Sequence, residues 1–265
     1  MMQTYAISPL GMFFCLLLLL IPMSLSYYLK LRFVRSTIVS TLRMLIQLGL
    51  VGIFLTVVFE INNSFLNILW VMIMVIVASH SVLKNAELKI SSLILPLIIS
   101  FTTTNILILL YFNSFVIGLG NVFEARYFIP IGGMVLGNSL RANIVAINDF
   151  CNEIQRNENR YLYHLSLGAE KNEALIPYLR KSVRNALKPT LANIATIGIV
   201  FLPGMMTGQI LGGASPLIAI EYQVAIMIAI YVATMMNVVL GIVLLMNRGF
   251  DDYGMFKKSI LRPQE

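Results

Sequence analysis

Seven apolar runs alternate with connections that are either basic or nearly uncharged, and this alternation constrains the chain more than any other feature. The runs lie near 7–28, 37–59, 65–83, 91–112, 127–149, 190–212 and 222–246. A bilayer core about 30 Å thick is crossed by roughly 20 apolar residues in a helix. With the N-terminus placed outside, every one of the 19 Lys and Arg except Arg126 falls on the inner side, counting Arg43 and Arg141 with their inner helix ends. That is the asymmetry of the positive-inside rule. The expected fold is therefore all-α: one polytopic membrane domain over 1–265, with seven transmembrane helices, the N-terminus outside and the C-terminus cytoplasmic.

Composition points the same way. The chain is 58% hydrophobic and 12% charged, whereas a soluble domain carries about 25% charged residues. The net charge of +7 does not imply nucleic acid, because the basic residues lie between apolar runs; the partner it implies is the lipid bilayer. The first run, within MMQTYAISPLGMFFCLLLLLIPMS, has no Lys or Arg before it, and Lys30, Arg32 and Arg35 follow it. A cleaved signal peptide would begin with a basic segment, so a retained first helix is expected. Cys15 and Cys151 fall on opposite sides of this arrangement, and no disulfide is expected between them. The tail NRGFDDYGMFKKSILRPQE reads as a short, partly disordered cytoplasmic end.

The long polar segment, 150–189, reads as a cytoplasmic element. Its first part, NDFCNEIQRNENRYLYHLSL, extends the fifth membrane helix. Gly168 permits a turn, and AEKNEALIPYLRKSVRNALK resumes a helix with Ala174, Leu175, Tyr178, Leu179, Val183 and Leu187 on one stripe. Pro189 suits the first turn of the sixth membrane helix. Such a hairpin is either simply solvated or a docking element for a cytoplasmic partner.

Groups that carry chemistry are sparse. There is no Walker loop and no G-x-S-x-G elbow, and His80 and His164 form no metal pair. Glu60, Asp149 and Glu221 sit at helix ends, not at membrane depth where a proton relay would hold them. This disfavours an enzyme and an ion-coupled pump. Gln47, the run Thr102–Asn105, Asn138, Asn143 and Asn237 do lie inside the membrane runs. They either hydrogen-bond between helices or line a polar path, for which Gln47 and Asn138 are the candidates together with Met205 and Met206. The methionine pair could suit a soft metal, but gap-filling is the simpler reading, and no residue is assigned as a metal ligand. Two segments combine proline with glycine at four-residue spacing: IPIGGMVLGN, with Pro130, Gly133 and Gly137, and LPGMMTGQILGG, with Pro203, Gly204, Gly208 and Gly212. Proline bends a membrane helix and the glycines admit a close neighbour. On this reading FLPGMMTGQIL is the outer half of the sixth membrane helix, kinked near Pro203.

LSLGA, LRKSVRNALKPT and IGIVFLPGMMTGQILGGASPLIAIEYQ, with IPIGGMVLGN and LRMLIQLGLVG upstream, resemble a family of bacterial membrane proteins that includes FetB-like permease subunits of iron-export ABC transporters and plant relatives in aluminium tolerance. The block Leu165–Gln223 carries most of the likeness. Glu221, Ala192 and Ala195 depart from it, which weakens any transfer of cargo identity. The resemblance implies a plasma-membrane permease, not itself an enzyme, that works as a homodimer with a separate ABC ATPase subunit. ATP and magnesium would be held by that partner, and this chain would bind no cofactor. The element around His164, Leu165, Leu167, Gly168 and Ala169, with Arg180 and Arg184, resembles the coupling loop that docks on the ATPase. Iron or another metal is the implied cargo; a metal chelate, a small organic solute, or an ATPase-independent carrier or channel are the alternatives.

Overall fold

The structure, a computed structural model, describes residues 7–31, 33–251 and 253–257, the side chains of 90–92 excepted. Arg32, Lys258 and Arg262, three of the basic residues behind the expected orientation, lie outside the described residues. Ten α-helices occur among the described residues: α1 (Pro9–Leu17), α2 (Leu20–Tyr28), α3 (Val34–Ile61), α4 (Ser64–Asn85), α5 (Ile90–Tyr111), α6 (Ala125–Arg156), α7 (Glu158–Ser166), α8 (Lys171–Thr196), α9 (Gly204–Leu211) and α10 (Pro216–Gly249). A π-helical stretch, Phe112–Ile117, prolongs α5. No β-strand is formed among the described residues, only two isolated bridges.

Among the described residues five stretches are long and apolar enough to cross a membrane: Pro9–Tyr28, Val34–Ile61, Ser64–Asn85, Leu93–Ile117 and Pro216–Gly249. The expected fifth span, near 127–149, lies within α6, whose 32 residues extend about 48 Å. It is too rich in polar residues to pass on composition alone. Its apolar side nevertheless faces the core over its whole length, from Ala125 to Ile154.

The expected sixth span does not form as one helix. The hairpin's second helix and the start of that span are continuous in α8, with Pro177 and Pro189 inside it, so Pro189 does not begin a new helix. The helix then stops at Thr196 and resumes at Gly204. Between them Gly198 adopts φ +83°, and its N–H donates to the Phe201 carbonyl at 3.0 Å. Glycine takes this left-handed conformation without steric cost. Pro203, which disfavours helical geometry at the residue before it, becomes the N-cap of α9. Pro203 is thus a boundary and not a kink.

The core is a four-helix bundle of α4, α5, α6 and α10, with α8 packed alongside α6 and α10 at one end. That end carries the seven basic side chains from Arg156 to Lys188 and is called the basic end below. Its apolar packing centres on Phe101, Ile147, Phe150, Leu175 and Ile242. Nearer the opposite end, Val71, Leu109, Phe128, Val135, Ile226 and Ala233 form a second cluster. The α3–α4 corner is set by two asparagines. Asn62 takes φ +42°, which asparagine tolerates better than most residues, and Asn63 caps α4 by accepting from the N–H groups of Phe65 and Leu66. The Asn62 side chain also accepts from the Ala125 N–H at 2.9 Å, tying this corner to the start of α6.

Candidate functional site

Two features stand out from the packing: polar side chains along the bundle interior, and the helical hairpin at the basic end. In the interior, Asn143 of α6 donates to Asn237 Oδ1 of α10 at 2.7 Å and to the Ser139 carbonyl at 2.9 Å. Ser100 of α5 donates to the Asn237 carbonyl at 3.1 Å, so three helices meet at one level. Gly241 makes this possible, since a Cβ there would sit 2.6 Å from Asn143 Oδ1. Away from this junction several buried polar groups have no hydrogen-bond partner among the described residues. Asn105 is buried with neither amide atom hydrogen-bonded, and the hydroxyls of Thr104, Ser139 and Thr234 are likewise unpaired. A buried polar group left unpaired costs about 1–3 kcal/mol. Interhelical bonding therefore engages Asn143, Asn237 and Ser100, with Asn143 Oδ1 and Asn237 Nδ2 left unpaired, and does not account for the others.

At the basic end, Gly168 turns the chain between α7 and α8 with φ +88° and no atom near its Cβ position. Of the predicted stripe on α8, Ala174, Leu175, Tyr178 and Leu187 are buried, and Leu179 and Val183 are half-buried against the same core. Two polar links bind α8 to α6: Lys181 to Glu153 at 2.7 Å, and Asn185 to Asp149 at 2.9 Å. Leu167 at the tip is 67% exposed. Arg180 and Arg184 project from the side of α8 away from the core. Leu165 and Ala169 are half-buried. His164 shares a cavity of about 260 Å³ with Glu153, Asn157, Arg160, Tyr178 and Lys181.

The described part of the C-terminal segment, residues 250, 251 and 253–257, makes tertiary contacts. Phe250 and Phe256 stack edge to face at 5.4 Å, and Asp251 accepts from the N–H groups of Tyr253 and Met255. The segment lies on α7 as a strap, where the buried Tyr161 hydroxyl donates to the Gly254 carbonyl at 2.7 Å. Burial, with Asp251 and Tyr178 nearby, pushes the Tyr161 phenol up to about 12, which keeps it a neutral donor. Residues 258–265 of the expected disordered tail lie outside the described residues.

The four candidate path residues are not brought together. Gln47 is exposed on α3. Asn138 donates to the Met134 carbonyl of its own helix. Met205 and Met206 pack on the side of α9 turned to the bundle, half-buried and buried. Pro130 is half-buried within α6, and Met74 lies 3.1 Å from where a Gly133 Cβ would be. The expected packing face on α9 has no helix against it. Gly204 and Gly208 have no neighbour there, and Gly212 meets only carbonyls of its own helix. Gly137 is equally open. Ser139 and Thr234 escaped the sequence reading, although their spacing to Asn143, Asn237 and Gly241 places them on a shared helical face. Among the described residues no three His, Cys, Asp or Glu side chains gather to hold a metal ion.

Residues 9–250 match the family described as Uncharacterised protein family (UPF0014). UPF0014 membrane protein YjkA of Bacillus subtilis is 33% identical over 80% of this chain and 83% of its own length. Protein ALUMINUM SENSITIVE 3 of Arabidopsis thaliana is 32% identical over 80% and 76%. Probable iron export permease protein FetB of Escherichia coli is 30% identical over 85% of both chains. No solved structure matches the chain.

Proposed function

This chain is a membrane protein of the UPF0014 family, and on that premise we propose that it is the membrane-spanning permease subunit of an ATP-driven transporter exporting iron or another metal. The observation that carries the proposal is the near full-length likeness to a relative named as an iron export permease. The chain spans the bacterial plasma membrane seven times with its N-terminus outside, which puts the basic end in the cytoplasm under the positive-inside rule. There the tip of the α7–α8 hairpin, with Leu167, Gly168, Arg180 and Arg184, docks on a separate ABC ATPase that holds ATP and magnesium. Two copies of this chain work with two of the ATPase.

The hairpin suits that role for a mechanical reason. Its tip is exposed, while its second helix is bound to α6 by apolar packing and two polar links. A displacement imposed on the tip is then carried into the bundle, because a packed interior moves as a unit. Co-purification tests the reading. The native protein, solubilised from its own membranes, is expected to bring down an ABC ATPase, and Leu167→Glu to lose it without loss of folded protein. Recovery of no ATPase with the native chain would overturn the proposal in favour of a stand-alone carrier or channel.

A further inference from the structure

The buried polar side chains of the interior, some paired and some not, have a common address. Asn105 and Thr104 on α5, Ser139 and Asn143 on α6, and Thr234 and Asn237 on α10 are all at most 1% exposed, on three helices of one bundle. They also extend along it. The Asn105 side chain lies beside Gly132, whereas Asn143 meets Asn237 eleven residues further along α6, a separation of about 16 Å at the rise of an α-helix. That is about half the thickness of a bilayer core. Apart from Ser100 at the Asn143–Asn237 junction and Gln223 near the start of α10, the other described buried side chains of α5, α6 and α10 are apolar. The groups are amides and hydroxyls, with no carboxylate, imidazole or thiol among the six. Neutral oxygens of this kind replace water around a hard cation without holding it, as conduction requires.

We propose that this line of amides and hydroxyls inside each subunit is the passage for a hard cation that keeps part of its water, opened when the bundle helices shift. The inference rests on the transport reading above and adds the location and the donor chemistry. It sets the passage within one copy of the chain. The rival location is the open side of α6, where Gly137 has no neighbour and two copies could meet.

Cysteine accessibility in native membranes tests it. In a Cys15→Ser, Cys151→Ala background, Thr104→Cys, Ser139→Cys and Thr234→Cys are treated with methanethiosulfonate ethylammonium, a small cationic thiol reagent. Val238→Cys, at a fully buried apolar position of α10, serves as the control. The three are expected to react at least about tenfold faster than the control, as a wall that becomes hydrated should against a packed interior, and more slowly with the anionic sulfonate analogue. Rates equal to the control at all three, with and without ATP, would overturn the passage and leave the transport reading standing. Reaction at Gly137→Cys alone would move the passage to a seam between copies and overturn it as well. Fast reaction on the line that ignores both ATP and removal of the ATPase would support the passage and count against the ATP-driven reading. A second arm replaces Asn143 and Asn237 together with Leu, which removes the polar pair at similar shape. The passage predicts loss of cation flux at unchanged protein level, and unchanged flux would contradict it.

Discussion

The first three helices and the four-helix bundle are built from the same kind of sequence but packed very differently. Of the apolar stretch of α3, 6% is buried inside the protein, against 50% in α10. Val58 is the one buried residue of α3, whereas fourteen residues of α10 are buried. The N-terminal helices are attached at one end only, through Val58 packed with Ala125 and Ile129, the Phe54–Trp70 stack at 4.0 Å and the Asn62 corner. In lipid an apolar side chain gains little by leaving the hydrocarbon, so helices associate through close packing and polar contacts. The bundle has both, in Gly132, Gly241 and its asparagines. The helices α1 to α3 expose long apolar surfaces, interrupted on α3 by Arg35, Arg43, Gln47 and Glu60, and have few such contacts. Hydropathy therefore finds both regions, and only the placement of small and polar residues separates them.

Substitutions can break that contrast, and the largest effect is expected deep in the bundle. Phe101→Ala should cost about 3–5 kcal/mol, while Leu48→Ala on α3, an exposed side chain, should stay within about 0.5 kcal/mol. Thermal unfolding in detergent measures both. Gly241→Ala should cost about 1–3 kcal/mol by forcing Asn143 off its two hydrogen bonds. Gly49→Ala, with open space around it, should be neutral or stabilise the helix by up to about 1 kcal/mol. Similar losses at Gly241 and Gly49 would mean that α3 is packed as tightly as the bundle.

Smaller effects are expected at the strap. Tyr161→Phe removes one hydrogen bond to Gly254 and should cost about 1 kcal/mol, with faster proteolysis after residue 249 as its readout. The same bond predicts a pH window. The Tyr161 phenol is held above its ordinary value of 10.0, at about 12, so the folded state favours the neutral form. Its contribution is complete below pH 10 and is lost as pH rises toward 12. Strap release should follow that window in the native protein and be absent from it in Tyr161→Phe.

Much of this architecture was legible in the sequence, for identifiable reasons. Long apolar runs bounded by charge marked α3, α4, α5 and α10, and the stripe through Ala174, Leu175 and Tyr178 marked the packed side of α8. Gly168 marked the turn because glycine takes positive φ readily. The interruption at 197–203 was misread because a membrane-compatible composition hides a break. Isoleucine, valine and phenylalanine look alike in a helix and in an extended segment, and the deciding residues were Gly198 and the position before Pro203. The strap was missed because its order comes from tertiary contacts of Phe250, Phe256 and Tyr161, which no local pattern announces. The interior line was partly visible as polar residues in apolar runs. Which of them share an interior depends on helix rotation, and that is settled by contacts such as Asn143 with Asn237.

Iron(II) accumulation in inside-out membrane vesicles containing this chain and its ATPase bears most directly on the proposed transport function. ATP should drive uptake, and Leu167→Glu or omission of ATP should abolish it. Uptake of equal rate without ATP, or with the hairpin tip altered, would contradict the account.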